Sequence, residues 1–325
     1  MTFVLLATGI LLLLVGGALL IRGASGIAKS LGISPIVIGL TIVAFGTSSP
    51  ELVVNIIGAL RDETALAFGN VAGSNIANLG LVLGSAAIIT PIAVESQLVR
   101  RELPFLLLAT AVLVVLALDV PLRGEPARLD RADGIVLFLL FTVFVYITVR
   151  EVLRQRSKDP LLTPMTTVQA LATAPKLRIE LACTVIGLSV LGLGGNLTIT
   201  YGAELAHTWG VSEVVVGMLV IAIGTSLPEL VTSIIAAIKR EPDLAVGNVI
   251  GSNIFNSLVV LPATAVVKPI AIPESGAMDL LVSFLLAAVI IPVFFFGNAH
   301  LGRRTGSLLL VSYVGYLTMR TTGWL

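Results

Sequence analysis

Two glutamates stand where a carboxylate is costly. Glu51 lies in AFGTSSPELVVNIIGAL (44–60) and Glu229 in AIGTSLPELVTSIIAAI (222–238), each directly after a proline and within an apolar run. A charged side chain at mid-membrane costs about 2.5–3.5 kcal/mol on insertion scales, and two carboxylates facing one another without a countercharge repel. No Lys or Arg falls in the middle of an expected helix, so the missing countercharge is an exchangeable cation or a proton. Each proline removes a helix hydrogen bond and frees the carbonyl four residues earlier, here Gly46 and Gly224. Thr47, Ser48, Thr225 and Ser226 add hydroxyls beside each break. A second pair of phrases, GNVAGSNIAN (69–78) and GNVIGSNIFN (247–256), places Ser74 with Asn78 and Ser252 with Asn256. Residues four apart share one helical face. The combined donors are hard oxygens, which suit Ca²⁺ or Na⁺ and not zinc or copper.

Plainer roles compete for some of these residues. Ser74 and Ser252 are small residues that could equally serve helix packing alone. Asn75 and Asn253 are expected to brace the helix break rather than touch an ion. The Gly16-Gly17 and Gly194-Gly195 pairs read as close-packing surfaces. Asp119, Glu180 and Glu204 fall near expected helix ends and are expected to be solvated, and His207 is expected in a loop without a role. One cysteine, Cys183, and two histidines, His207 and His300, leave little for a zinc site or a disulfide.

Elements that could hold such a site are dictated by composition. Of 325 residues, 56% are hydrophobic and 12% charged, net charge is +1, and mean hydropathy is +1.04. Soluble chains carry roughly 25% charged residues, and apolar runs of 17 to 25 residues, each long enough for a bilayer, recur here throughout. No basic surface argues for nucleic acid. Helices are expected at 3–21, 34–60, 66–89, 104–120, 134–152, 179–205, 212–238, 244–267, 279–297 and 306–323. The first of these lacks the charged n-region of a signal peptide and is too long for an h-region, so it is expected to remain in the mature protein. Lys and Arg favour the loops that are cytoplasmic when the N-terminus lies outside, 14 against 6. By the positive-inside rule both termini are then external.

An internal repeat organises the rest. Glu51 and Glu229 are 178 positions apart, and so are Gly46 and Gly224, Pro50 and Pro228, Asn70 and Asn248, Ser74 and Ser252, Asn78 and Asn256. The glycine pairs, Gly32 with Gly210, and Pro91 with Pro269 keep the same offset. Each half holds five expected helices, and an odd number forces the halves to cross in opposite directions. The expectation is an all-α polytopic membrane protein of ten transmembrane helices in two inverted-topology five-helix repeats. The repeats are 1–150 and 179–325, with a cytoplasmic linker at 151–178.

GTSSPE…GNVAGSNIAN and GTSLPE…GNVIGSNIFN resemble the two α-repeats of the calcium/cation antiporter superfamily, the sodium/calcium exchangers. The size and ten-helix plan resemble the bacterial and archaeal members. The resemblance implies a central site in which Glu51 and Glu229 are the main Ca²⁺ ligands, completed by the backbone carbonyls of Thr47 and Thr225. It implies flanking Na⁺ sites at Ala44, Ser48 and Ser74 and at Ala222, Ser226 and Ser252, with Asn78 and Asn256 lining the centre. Helices 1 and 6 would slide across this core to switch access. One departure is Asn256, where several sodium-driven members carry aspartate. Two carboxylates balance one Ca²⁺, two Na⁺ or two H⁺.

The function this implies is Ca²⁺/Na⁺ antiport across a prokaryotic inner membrane, by alternating access at a shared site. Its partners are small inorganic cations and membrane lipid, no cofactor is called for, and one chain holds both half-sites, so a monomer suffices. H⁺/Ca²⁺ exchange and K⁺-dependent Na⁺/Ca²⁺ exchange stay open as alternatives. A cation channel would more often be built from symmetric subunits than from an inverted repeat. An intramembrane hydrolase would need a base beside a serine, and no histidine falls in an expected helix.

Overall fold

The computed structural model describes residues 1–93, 98–158, 167–209, 224–296 and 300–322. The chain is mostly helical: α1 is Thr2–Leu31, α2 Pro35–Thr47, α3 Ser49–Leu60, α4 Thr64–Ile89 and α5 Leu103–Leu116. A short α6, Asp119–Arg123, precedes α7, Arg131–Lys158, and α8, Thr167–Thr208. The described chain ends with α9 (Leu227–Ile238), α10 (Pro242–Val267), α11 (Gly276–Phe296) and α12 (Arg303–Thr321). Six described helices are long and apolar enough to span a bilayer, and the bent pair α2–α3 makes a seventh. This is a polytopic membrane protein.

Several expected boundaries move. The first helix does not stop at residue 21 but runs to Leu31, taking in Arg22 and Lys29, and ends on Gly32 with φ +62°. That left-handed conformation suits a residue without Cβ. From the other side, α7 and α8 extend into the connector placed at 151–178, to Lys158 and from Thr167. Charged residues at a span's end continue the helix because their long stems reach out to water. The first part of the expected helix 212–238 lies outside the described residues.

Burial ranks the helices. In the most apolar stretch of α10, 94% of residues are buried, and 72% in α4, against 22% in α8 and 33% in α1. The two helices carrying the GSN phrases are therefore the interior, and α1 and α8 form an outer layer. Those two outer helices pack antiparallel. A Cβ on Gly9 would meet Thr198, one on Gly16 would meet Leu191 and Gly187, and one on Gly23 would meet Thr184. As the residue number rises on α1 it falls on α8.

Features recur at the 178-residue offset in the backbone too. Ser48 and Ser226 interrupt their helices with nearly the same geometry, φ −89°, ψ 6° and φ −86°, ψ 4°. Asn78–Val82 and Asn256–Val260 are both π-helical turns, each starting on a motif asparagine. Sequence patterning did not foresee these, because a single widened turn leaves no periodic trace; such turns gather at functional sites. Two short antiparallel pairs close the ends: β1 (Ile92–Ala93) with β4 (His300–Leu301), and β2 (Arg128–Leu129) with β3 (Ile270–Ala271). In each pair one strand comes from each half of the chain.

Candidate functional site

The two Pro-Glu breaks converge. α2 and α3 meet at a 42° bend around Ser48, with Pro50 in the first turn of α3, where a missing N–H costs nothing. Pro228 sits likewise in the first turn of α9. Glu51 and Glu229 follow directly, 1% and 0% exposed.

Their hydrogen bonding is lopsided. Glu229 Oε1 accepts from Ser48 Oγ at 2.9 Å and from Ser252 Oγ at 3.4 Å. Its Oε2 is buried without a partner, as are both oxygens of Glu51. Three buried carboxylate oxygens thus lack protein donors, an arrangement that otherwise costs several kcal/mol and demands a cation or proton. Around them stand further unpaired donors and acceptors: Ser226 Oγ and both side-chain atoms of Asn78 and Asn256. Ala44 is fully buried in α2 close to the break. Ala222 lies outside the described residues.

The threonines do something not read from the sequence. Thr47 Oγ1 donates to Asn248 Oδ1 at 3.1 Å, and Thr225 Oγ1 to Asn70 Oδ1 at 3.0 Å. Each broken segment is thereby tied to a GSN helix from the other half of the chain. Asn248 Nδ2 in turn reaches Ser233 Oγ at 3.0 Å, and Asn70 Nδ2 reaches Asn55 Oδ1 at 2.7 Å. Asn70 and Asn248 were visible as repeat mates without a role; their place four residues before Ser74 and Ser252, on the same face, was the available signal. Asn55 was hidden because its counterpart, Ser233, is a different residue type. Asn75 and Asn253 link α4 to α10 rather than bracing a helix break: Asn75 Nδ2 donates to Ser257 Oγ at 3.0 Å, and Asn253 Nδ2 to the Asn75 carbonyl at 3.1 Å.

Other acids depart from expectation. Asp119 is not solvated: it is 7% exposed and receives the Arg128 N–H at 3.2 Å and the Arg123 guanidinium at 3.3 Å. Glu180 is half-buried across Gly26, with Oε2 lacking a partner, because the longer α1 covers it. Glu204 is exposed, as expected, and accepts from Thr2. His207 lies in the last turn of α8 and not in a loop.

The two ends of the site differ. A cavity of about 240 Å³ opens beside Thr225 and Asn70, bounded by Gly58, Val54, Asn196 and Ile199. The positions 178 residues away, Thr47, Asn248, Ala236, Thr232 and Ile21, are packed shut: Val54 is 44% exposed, Thr232 is 0%. α1 seals that end, where Gly17 meets Ile235, Lys239 Nζ donates to the Ala18 carbonyl at 2.9 Å, and Ser25 Oγ donates to Glu241 Oε1 at 2.7 Å.

Known proteins resemble this chain in sequence and in shape. The family model described as "Sodium/calcium exchanger protein" matches residues 1–150 and 179–322. The putative antiporter CaxA of Alkalimonas amylolytica is 36% identical over 95% of this chain and 95% of its own length. The sodium/calcium exchanger MaX1 of Methanosarcina acetivorans is 28% identical over 98% of this chain and 97% of its own. A solved structure of the sodium-calcium exchanger NCX_Mj, soaked with Na⁺ and Sr²⁺, superposes with TM-score 0.83 at 27% identity, covering 98% and 97% of the two chains. With a family match over nearly all of both halves and a relative aligned end to end, this chain belongs to the sodium/calcium exchanger family of membrane antiporters.

Proposed function

We propose that the protein exchanges Ca²⁺ for Na⁺ by alternating access, the two ions competing for Glu51 and Glu229. One observation carries the reading: three carboxylate oxygens at this site are buried without any donor, amid neutral oxygen groups. Ca²⁺ or two Na⁺ would supply the charge the protein withholds. Thr47 and Thr225 carbonyls and the Ser48, Ser74, Ser226 and Ser252 hydroxyls would complete the shells, with Asn78 and Asn256 at the centre, and Ala44 and Ala222 contributing backbone oxygens. The doubly charged empty site resists moving through a low-dielectric barrier, so exchange is favoured over leak.

Ten spans in two inverted five-helix repeats, 1–150 and 179–325, are the architecture that goes with this function. The antiparallel α1–α8 pair and the strands shared between halves support it. Both termini are then external and the 151–178 connector cytoplasmic, which makes the 240 Å³ cavity the outer approach and the α1 contacts the inner seal. H⁺/Ca²⁺ exchange is the second reading. It is favoured by Asn256, which leaves two carboxylates rather than three at the centre.

The test is ⁴⁵Ca²⁺ uptake into proteoliposomes driven by an outward Na⁺ gradient with pH clamped. Uptake is expected in wild type and absent in Glu51→Gln and Glu229→Gln. Retained uptake in both variants removes the site assignment, and uptake driven only by a pH gradient replaces Na⁺ by H⁺.

A further inference from the structure

Asn55 follows Glu51 by four residues, one turn along α3, and is completely buried. Its Nδ2 donates to the Ala67 carbonyl on α4 at 3.0 Å. A backbone carbonyl can only accept, so the Asn55 amide has one permitted orientation, with Oδ1 toward Asn70. Asn70 Nδ2 donates to that oxygen at 2.7 Å, which turns Asn70 Oδ1 toward Thr225. This oxygen also only accepts, so the Thr225 hydroxyl is the donor in their 3.0 Å pair. Ser74 Oγ lies 3.2 Å from Thr225 Oγ1. When Thr225 donates to Asn70, Ser74 is the donor of that pair.

Resting on the cation-exchange reading above, we propose that Asn55 is a positioning residue for transport. Through Asn70 it directs the protons of Thr225 and Ser74 into one chain ending on Ala67, so both hydroxyl oxygens keep lone pairs for a cation. A hydroxyl free to rotate would present its proton to the ion in part of its states, and turning it costs free energy at each binding event. The opposite half reaches the same end with a serine: Asn248 Nδ2 donates to Ser233 Oγ at 3.0 Å and its Oδ1 accepts from Thr47. Serine at position 55 should therefore suffice, since its hydroxyl can accept from Asn70 and donate to Ala67.

The two ions should feel this unequally. Ca²⁺ is held chiefly by carboxylates, whereas Na⁺ relies on neutral oxygens such as Ser74. An oriented neutral hydrogen bond contributes about 1 kcal/mol, so Asn55→Leu is expected to raise the Na⁺ half-saturation about fivefold. The Ca²⁺ half-saturation should move less than about twofold, the carboxylates being intact. ⁴⁵Ca²⁺ uptake with varied internal Na⁺ reads both. Asn55→Ser should match wild type, and Asn55→Leu combined with Thr225→Val should equal Thr225→Val alone. Equal shifts for both ions, a fall in maximal rate alone, additivity in the double variant, or Asn55→Ser as impaired as Asn55→Leu would each overturn the proposal. Asn55→Ala carries the same expectation if the leucine variant does not fold. Wild type without Na⁺-driven uptake removes the exchange reading and this inference with it; normal wild-type exchange with unchanged Asn55→Leu kinetics removes this inference alone.

Discussion

Replacing Gly16 by alanine tests whether α1 and α8 meet backbone to backbone. The added Cβ would stand 2.7 Å from the Leu191 amide nitrogen and 2.9 Å from the Gly187 carbonyl oxygen. Non-bonded carbon contacts are comfortable at about 3.5 Å or more, so the pair falls short by roughly 0.6–0.8 Å. Both obstacles are main-chain atoms and cannot swing aside, so the helices must separate. Overpacking of this kind costs about 1–3 kcal/mol, which lowers the unfolding temperature by about 1.5–4.5 °C for a chain of this size. Gly192, also on α8, is the control: a Cβ there meets nothing within 4 Å. Gly192→Ala should unfold no earlier than wild type. The assay is thermal unfolding of the purified proteins in one detergent. If Gly16→Ala unfolds with wild type, or Gly192→Ala falls as far, the close-packed interface is misdescribed.

Two further predictions follow from the site and its periphery. Asn256 is buried with neither side-chain atom paired, so Asn256→Asp adds a third carboxylate to the centre; the Na⁺ dependence of ⁴⁵Ca²⁺ uptake should steepen, and an unchanged Hill coefficient would contradict it. Asp279 joins α11 to α12 by accepting from Tyr316 at 2.9 Å and Arg320 at 3.0 Å. Asp279→Asn should cost about 1–3 kcal/mol of stability, seen as earlier thermal unfolding with unchanged ion half-saturation; altered half-saturation would place Asp279 in the transport path instead.

The carboxylates and their breaks were legible from a short stretch of chain. Proline before glutamate inside an apolar run has few structural uses, and its return 178 residues later leaves fewer. Harder to read were the contacts made at long range. Asp119 and Glu180 stood near expected helix ends, and an end is solvated only if nothing covers it; burial of Asp119 and the extension of α1 over Glu180 come from packing. The lengths of α1 and α8 escaped because Arg22 and Lys29 signal the edge of the hydrocarbon, not the end of a helix. Asn55 escaped because repeat matching compares residue types, whereas Asn55 and Ser233 share a hydrogen-bonding role.

What the sequence by itself determined was the inventory of the site: two acids, their hydroxyl and amide neighbours, and a doubling that places equivalent donors in both halves. Those follow from residue type and spacing, which need no partner segment. A near-symmetric sequence encodes both ends of the molecule alike, so it cannot say which end is open. Only the tertiary structure broke that tie, by packing α1 on α9 at the end where Thr47 and Asn248 are buried while leaving Thr225 and Asn70 beside a cavity. It also brought Asn55 between Asn70 and the Ala67 carbonyl, contacts that depend on a second helix.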